Sequence, residues 1–261
     1  MSQETNARQE LAIQRRGAVL WLTIQREERR NAMSHGVLAA MGEALEGAQS
    51  DRSVRAIVIT GVGQRAFCAG ADLQNAQAFT TDYSEPYGHL ARLLRSARAS
   101  NLPLIARVNG ACMAGGMGLL AMCDMAVAAR HAVFGLPEVK VGVFPAQVLS
   151  VLQHLIPRRR LAEMCLTGEP LTSAQALEYG LVNYVDDDLD GKLQWLLDRL
   201  LDKSPAAIRR GLYTMKRIES MAFEESMSFT ESQIALFTLT DDAREGQKAF
   251  QEKRTPHWKE D

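Results

Sequence analysis

The 261-residue sequence predicts one α/β core over residues 1–200 and a helical C-terminal region over residues 201–261. Three observations carry this reading. Short apolar, β-branched runs recur through the first two-thirds, at Val54–Thr60, Pro103–Val108 and Asp124–Ala129. Glycine-bearing turns follow the first two of these runs, as expected for buried strands feeding loops. The last third lacks such runs and shows helical periodicity instead.

In chain order, Leu11–Arg16 and Val19–Ile24 flank Gly17-Ala18 and read as an antiparallel hairpin. A charged loop, Gln25 to Ser34, follows, and Ser34 is placed to cap a helix reaching about Gln49. The strand at 54–60 leads into Gly61-Val62-Gly63-Gln64-Arg65-Ala66, which fits a dinucleotide-binding G-x-G-x-x-A pattern. That fingerprint has to open straight into a helix, whereas Phe67-Cys68-Ala69-Gly70 continues as glycine-broken apolar chain, so no nucleotide cofactor is expected. Residues 73 to 87 are polar and aperiodic and read as a mobile loop. Leu90, Leu93, Leu94 and Ala97 give Gly88–Ser100 one apolar helical face. The strand at 103–108 feeds a second glycine turn and a helix at Met117–Cys123, and further strands are expected at 124–129, 132–135 and 181–185. Thr172 and Gln175 form a capping box, Pro205 opens a helix reaching about Ile218, and two more helices are expected near 220–239 and 241–253.

Composition narrows the function classes. A net charge of −1 gives no electrostatic case for nucleic acid or an anionic membrane surface. Cys68, Cys112, Cys123 and Cys165 lie far apart without C-x-x-C spacing, which argues against zinc or a disulfide framework and for reduced thiols in a cytoplasmic protein. The five histidines are isolated, with His89 on the polar side of its helix, and no metal site is expected. No apolar run reaches membrane-span length and the start of the chain lacks a leader-like apolar region.

The chemistry concentrates in two small-residue turns. In Val108-Asn109-Gly110-Ala111-Cys112-Met113-Ala114-Gly115-Gly116-Met117-Gly118, the glycines at 115, 116 and 118 permit a close backbone approach and leave the first amides of a helix without intrahelical partners. Such amides suit an anion or a developing oxyanion; the alternative is that the glycines serve only tight helix packing. Ala66-Phe67-Cys68-Ala69-Gly70-Ala71-Asp72-Leu73 is the second turn. One N–H from each turn, directed at one oxygen, makes an oxyanion hole, worth about 3–4 kcal/mol per donor.

These two turns resemble the oxyanion-hole signatures of the crotonase family of enoyl-CoA hydratases and isomerases. The likeness runs from Arg30-Asn31-Ala32-Met33-Ser34 to Ala249-Phe250-Gln251-Glu252-Lys253-Arg254. It implies a spiral of β-β-α units with helices that trimerise, as a homotrimer or a hexamer, and an acyl-CoA thioester as substrate, with CoA carried by the substrate and no separate cofactor. The resemblance assigns the oxyanion donors to the N–H groups of Ala69 and Gly115. It places Ala71, Asp72 and Leu73 against the adenine half of CoA, Gly116 and Gly118 in the thioester site, Arg29 and Arg30 near the phosphates, and Phe250 and Lys253 against CoA bound by a neighbouring subunit.

Family hydratases are similar to one another in carrying two glutamates. The first falls on Gly118 here and is missing; the second is Glu138 in Leu136-Pro137-Glu138-Val139. Set among Phe134, Leu136, Val139, Val143 and Phe144, Glu138 is expected to have a raised pKa suited to proton exchange; the competing expectation is a turn glutamate paired with Lys140 or an arginine. Reversible hydration of a 2-enoyl-CoA leads on the family resemblance. Isomerisation of a 3-enoyl-CoA by one glutamate is the alternative that the missing carboxylate favours, and an inert CoA-binding homologue is the third reading.

Overall fold

The computed structural model describes residues 10–72 and 84–259. Two sheets form. The larger has six strands in the order β1 (Leu11–Arg16), β2 (Val19–Ile24), β3 (Ala56–Gly61), β5 (Leu104–Val108), β7 (Met125–Ala129), β10 (Tyr184–Asp186). The smaller has four, β4 (Ala66–Cys68), β6 (Ala111–Met113), β8 (Val133–Gly135) and β9 (Leu171–Thr172). Pairing is parallel except at the β1–β2 hairpin and at β8–β9.

The spiral follows from how the strands are dealt out. Each of the pairs β3–β4, β5–β6 and β7–β8 gives its first strand to the large sheet and its second to the small one. Each pair then leads towards a helix: α2 (His89–Ala99), α3 (Gly115–Ala121) and the single turn α4 (Leu149–Leu152). A preceding helix, α1 (His35–Ser50), follows the hairpin, and Ser34 Oγ accepts the Val37 N–H at its start.

Both faces of the large sheet are covered, which is why its central strands read as continuous apolar runs. On β3, Ile57 and Ile59 enter the main core with Met41 and Leu45 of α1. Ala56 and Val58 point the other way, to Leu189, Leu193, Leu196 and Leu197 of α7 (Leu189–Leu201). Helices α5 (Arg158–Thr167) and α6 (Ser173–Glu178), the latter with the expected Thr172–Gln175 capping box, precede α7. The C-terminal helices are α8 (Pro205–Ile218), α9 (Phe223–Thr238) and α10 (Asp241–Glu252). They leave Phe223, Ile234, Leu239 and Phe250 more than half exposed. Among the described residues, no helix is long and apolar enough to cross a membrane.

Two expectations need correction. The helix after the second glycine turn begins at Gly115 rather than Met117. The last short strand spans Tyr184–Asp186 because Leu181 and Val182 turn into the core before pairing starts at Tyr184; the side chain of the preceding Asn183 accepts the Ala126 N–H. As read from the sequence, the segment following Gly61-Val62-Gly63 does not open into a helix: it enters strand β4, so the glycines there build a strand-to-strand turn.

Candidate active site

Strands β4 and β6 lie side by side in the small sheet, with Ala66 opposite Ala111 and Cys68 opposite Cys112. Their C-terminal exits therefore emerge together, and these are the two small-residue turns. Gly70 adopts φ 97°, and a Cβ there would sit 2.8 Å from Ala114 Cβ and 3.2 Å from the Gly115 nitrogen, so only glycine lets the turns touch. Ala114, at φ 52° and ψ −124°, swings the chain from β6 into α3. A positive φ at a residue other than glycine costs about 1–3 kcal/mol and marks a position where the surroundings dictate the backbone.

On the first turn the amide left unbonded by neighbouring backbone is that of Ala71, whereas the expected donor, Ala69, has its N–H committed. The Ala69 N–H donates to the Arg30 carbonyl oxygen at 3.1 Å. Ala71 instead forms an isolated parallel bridge with Met33. The Met33 N–H donates to the Gly70 carbonyl at 2.8 Å, and the Asp72 N–H donates to the Met33 carbonyl at 3.1 Å. In parallel pairing the residue between two such bonds turns its own N–H and C=O to the opposite side. The Ala71 amide thus faces away from Met33, towards α3. Gly115 is the first residue of α3, so its N–H has no intrahelical partner, and a Cβ built on it would lie 3.8 Å from the Ala71 nitrogen.

The three glycines of the second turn have separate jobs. Gly115 brings its amide beside Ala71. A Cβ on Gly116 would overlap the Cys68 carbonyl oxygen, so Gly116 packs α3 against β4 and does not line the cleft. A Cβ on Gly118 would fall 2.9 Å from Val148 Cγ1, and Gly118 does not line the cleft either. Of the two readings posed from sequence, tight packing accounts for Gly116 and Gly118, and it leaves the Gly115 amide available to an oxyanion.

Both turns open on a cleft of about 880 Å³ whose walls include Met33, Ala71, Gly115, Glu138, Phe144 and Val148, a volume ordinary for small-molecule sites. Glu138 sits in the 3-10 helix Pro137–Val141, opened by Pro137. Its Oε2 is buried without a hydrogen-bond partner. Burial pushes the carboxyl above its ordinary range, only partly offset by its own backbone N–H. The competing ion-pair reading fails, because Lys140 Nζ pairs with Glu169 at 2.8 Å.

The other expected site residues divide. Asp72 lines the cleft, with its carboxylate 2.7 Å from an Arg26 guanidinium nitrogen. Arg29 and Arg30 are exposed and do not line the cleft; Arg30 serves the turn through its carbonyl. Leu73 lies outside the described residues, as does most of the expected 73–87 loop. Phe250 is 85% exposed, so it is not packed within its own chain, and Lys253 caps α10 at φ 55°. His89, read from sequence as an isolated polar-face histidine, lines the cleft with its ring 4.5 Å from that of His35. The two start different helices, and no spacing rule connects them. Among the described residues, no group of three or more His, Cys, Asp or Glu is arranged to hold a metal ion.

A family model described as enoyl-CoA hydratase/isomerase matches residues 14–261. The 2,3-dehydroadipyl-CoA hydratase of Escherichia coli is 34% identical, with 96% of this chain and 98% of that protein covered. An enoyl-CoA hydratase of Mycobacterium tuberculosis is also 34% identical, covering 94% and 95%. The crystal structure of an enoyl-CoA hydratase from Mycobacterium smegmatis superposes with a TM-score of 0.90 at 33% identity, covering 95% and 98%. Paired strand exits, a shared cleft and a match along nearly the whole length thus converge, and the chain belongs to the enoyl-CoA hydratase/isomerase family.

Proposed function

We propose that this enzyme catalyses the reversible hydration of a 2-enoyl-CoA thioester, with Ala71 and Gly115 as oxyanion donors and Glu138 as the single acid–base. The observation that carries the reading is the buried, unpartnered Oε2 of Glu138 in a cleft shared with two outward-facing main-chain amides. An unsatisfied buried carboxylate oxygen is costly and is retained where it has a task.

In this mechanism the Glu138 carboxylate takes a proton from water as the water oxygen bonds to C3. The C2–C3 π pair moves onto the thioester as an enolate, and its oxygen accepts the N–H groups of Ala71 and Gly115. Glu138, now protonated, returns the proton to C2, so one carboxylate serves both steps. CoA arrives as part of the substrate, and the chemistry calls for no further cofactor. The hydratase names of the relatives support addition of water.

A second reading, isomerisation of a 3-enoyl-CoA, is favoured by Gly118, where a second carboxylate is missing and Val148 fills the adjacent space. There Glu138 removes a C2 proton and delivers it to C4. Incubation with crotonyl-CoA and with a 3-enoyl-CoA decides between them. Loss of the conjugated thioester absorbance with crotonyl-CoA supports hydration. Its appearance with the 3-enoyl ester, without reaction of crotonyl-CoA, moves the assignment to isomerisation. Binding of both without turnover rejects both. The exposed apolar side chains of α9 and α10 support assembly of a trimer or a hexamer in which Phe250 and Lys253 reach a neighbour's CoA.

A further inference from the structure

We infer that Asn31 and Asn109 are positioning residues: their side chains close on one carbonyl, that of Ala66, and thereby fix the separation of the Ala71 and Gly115 amides. The inference rests on the oxyanion role proposed for those amides.

Both asparagines are almost fully buried, at 1% and 3% exposure. Asn31 Nδ2 donates to the Ala66 carbonyl at 2.7 Å and to the Val62 carbonyl at 3.0 Å, while its Oδ1 accepts the Arg26 N–H at 3.1 Å. Asn109 Nδ2 donates to the same Ala66 carbonyl at 3.1 Å and to the Gly63 carbonyl at 2.8 Å. Its Oδ1 accepts the Gly61 N–H at 3.2 Å and the Thr60 hydroxyl at 3.3 Å. Apart from the bond to the Arg26 amide, the side-chain hydrogen bonds of both buried carboxamides thus all end in one short stretch, 60–66.

The placement matters more than the number of bonds. Ala66 is the first residue of β4, the strand that ends in Ala69-Gly70-Ala71. Asn109 lies at the entrance of β6, the strand that ends in Ala114-Gly115. Its side chain therefore ties the root of one donor strand to the root of the other. The Ala111 N–H, donating to the Arg65 carbonyl at 3.1 Å, continues that tie. On the opposite side, Asn31 holds Ala66 while Met33, two residues on, holds Gly70 and Asp72 on either side of Ala71. The segment 31–33 grips the donor turn at both ends.

The clasp has no slack. A Cβ at Gly61 would overlap Asn31 Nδ2, and one at Gly110 would stand 2.7 Å from the Ala66 nitrogen. Asn31 itself holds φ 55°, a conformation that asparagine and glycine reach more readily than other residues. Donors that stabilise an enolate act through fixed placement, so a small loosening at the strand roots costs rate before it costs binding.

Acetoacetyl-CoA tests this directly, because donors on its thioester oxygen raise the fraction present as the near-ultraviolet-absorbing enolate. Asn31→Gly is the main variant: it removes the side-chain clasp and keeps the backbone conformation accessible. Asn109→Ala is the second. In each folded variant the enolate absorbance of bound acetoacetyl-CoA is expected to fall at least threefold. The kcat is expected to fall at least tenfold, with KM within about threefold of wild type. Lowered thermal stability with unchanged kcat and unchanged enolate absorbance in Asn31→Gly overturns the inference, since that is the result of packing alone. Absence of enolate absorbance and of turnover in the wild type as well overturns the oxyanion reading itself.

Discussion

Gly118 and Val148 share one volume. The Cβ that Gly118 lacks would stand 2.9 Å from Val148 Cγ1 and 3.7 Å from Val148 Cβ, and Val148 is 4% exposed in the wall of the cleft. A side chain at 118 would therefore have to displace Val148 to reach the cleft. Gly118→Glu is expected to destabilise the protein by about 1–3 kcal/mol through overpacking, and by more if its carboxylate is left buried without a partner. Val148→Ala in the same chain is expected to recover part of that loss. Urea unfolding of the single and double variants measures both; equal midpoints for the two would contradict the steric account.

Glu138→Gln keeps the shape of the side chain and removes the proton carrier. Turnover is expected to fall by about 10²–10⁴-fold, the usual range for loss of a general acid–base, with binding of CoA esters retained. Initial rates together with equilibrium binding of a saturated acyl-CoA check this. Near-normal turnover removes Glu138 from the mechanism.

The raised pKa of Glu138 has a pH signature of definite sign. Burial favours its protonated form, so between the ordinary value of 4.5 and the raised folded-state value the folded protein holds a proton that the unfolded chain has released. The stability contributed by this group is fully present below 4.5 and lost as pH rises through the folded-state pKa. Glu138→Gln has no such dependence. Its stability relative to wild type is therefore expected to improve with rising pH across that window, read from paired urea titrations. The same titration gives kcat/KM an acidic limb whose midpoint lies above 4.5 in the wild type. A flat stability difference between the two proteins across the window would show that the carboxyl is not perturbed.

Much of this site was legible in sequence, and what was not has a common physical origin. Ser34, the Thr172–Gln175 box and Pro205 announce helix starts through bonds that are local, and the structure has all three. The apolar run at β3 announces a strand because both its faces are covered. By contrast β4 and β6 are three residues each, too short for periodicity, and they exist because each finds the other. The proposal of Ala71 rather than Ala69 as the first donor has the same source. Which amide faces the cleft is decided by the bridge to Met33 and by the Arg30 carbonyl, both outside the motif. Gly118 likewise announced a missing side chain but not that Val148 fills its place.

The two candidate amides of the first turn are distinguished by replacing one peptide link at a time with an ester, which deletes an N–H and keeps the side chain. An ester at residue 71 is expected to lower kcat by about 10²–10³-fold, as for loss of one oxyanion donor, with little change in stability. One at residue 69 removes the bond to the Arg30 carbonyl and is expected to cost about 0.5–1.5 kcal/mol of stability with a small effect on kcat. The reverse pattern would return the donor role to Ala69.

The exposed apolar side chains of α9 and α10 give the last prediction. Phe223, Ile234, Leu239 and Phe250 are 72%, 65%, 64% and 85% exposed. A lone subunit would thus carry large apolar groups on its C-terminal helices that the fold leaves uncovered, a pattern typical of association surfaces. Sedimentation is expected to give a trimer or a hexamer. Ile234→Asp with Leu239→Asp is expected to shift the protein towards monomer and to make activity depend on protein concentration. Phe250→Ser is a milder change; where Phe250 meets a neighbour's CoA, it raises KM for CoA esters in an assembly that still sediments normally, with kcat little altered. A monomeric wild type of full activity would detach the C-terminal helices from the site, and an unchanged KM in Phe250→Ser would leave that side chain with packing alone.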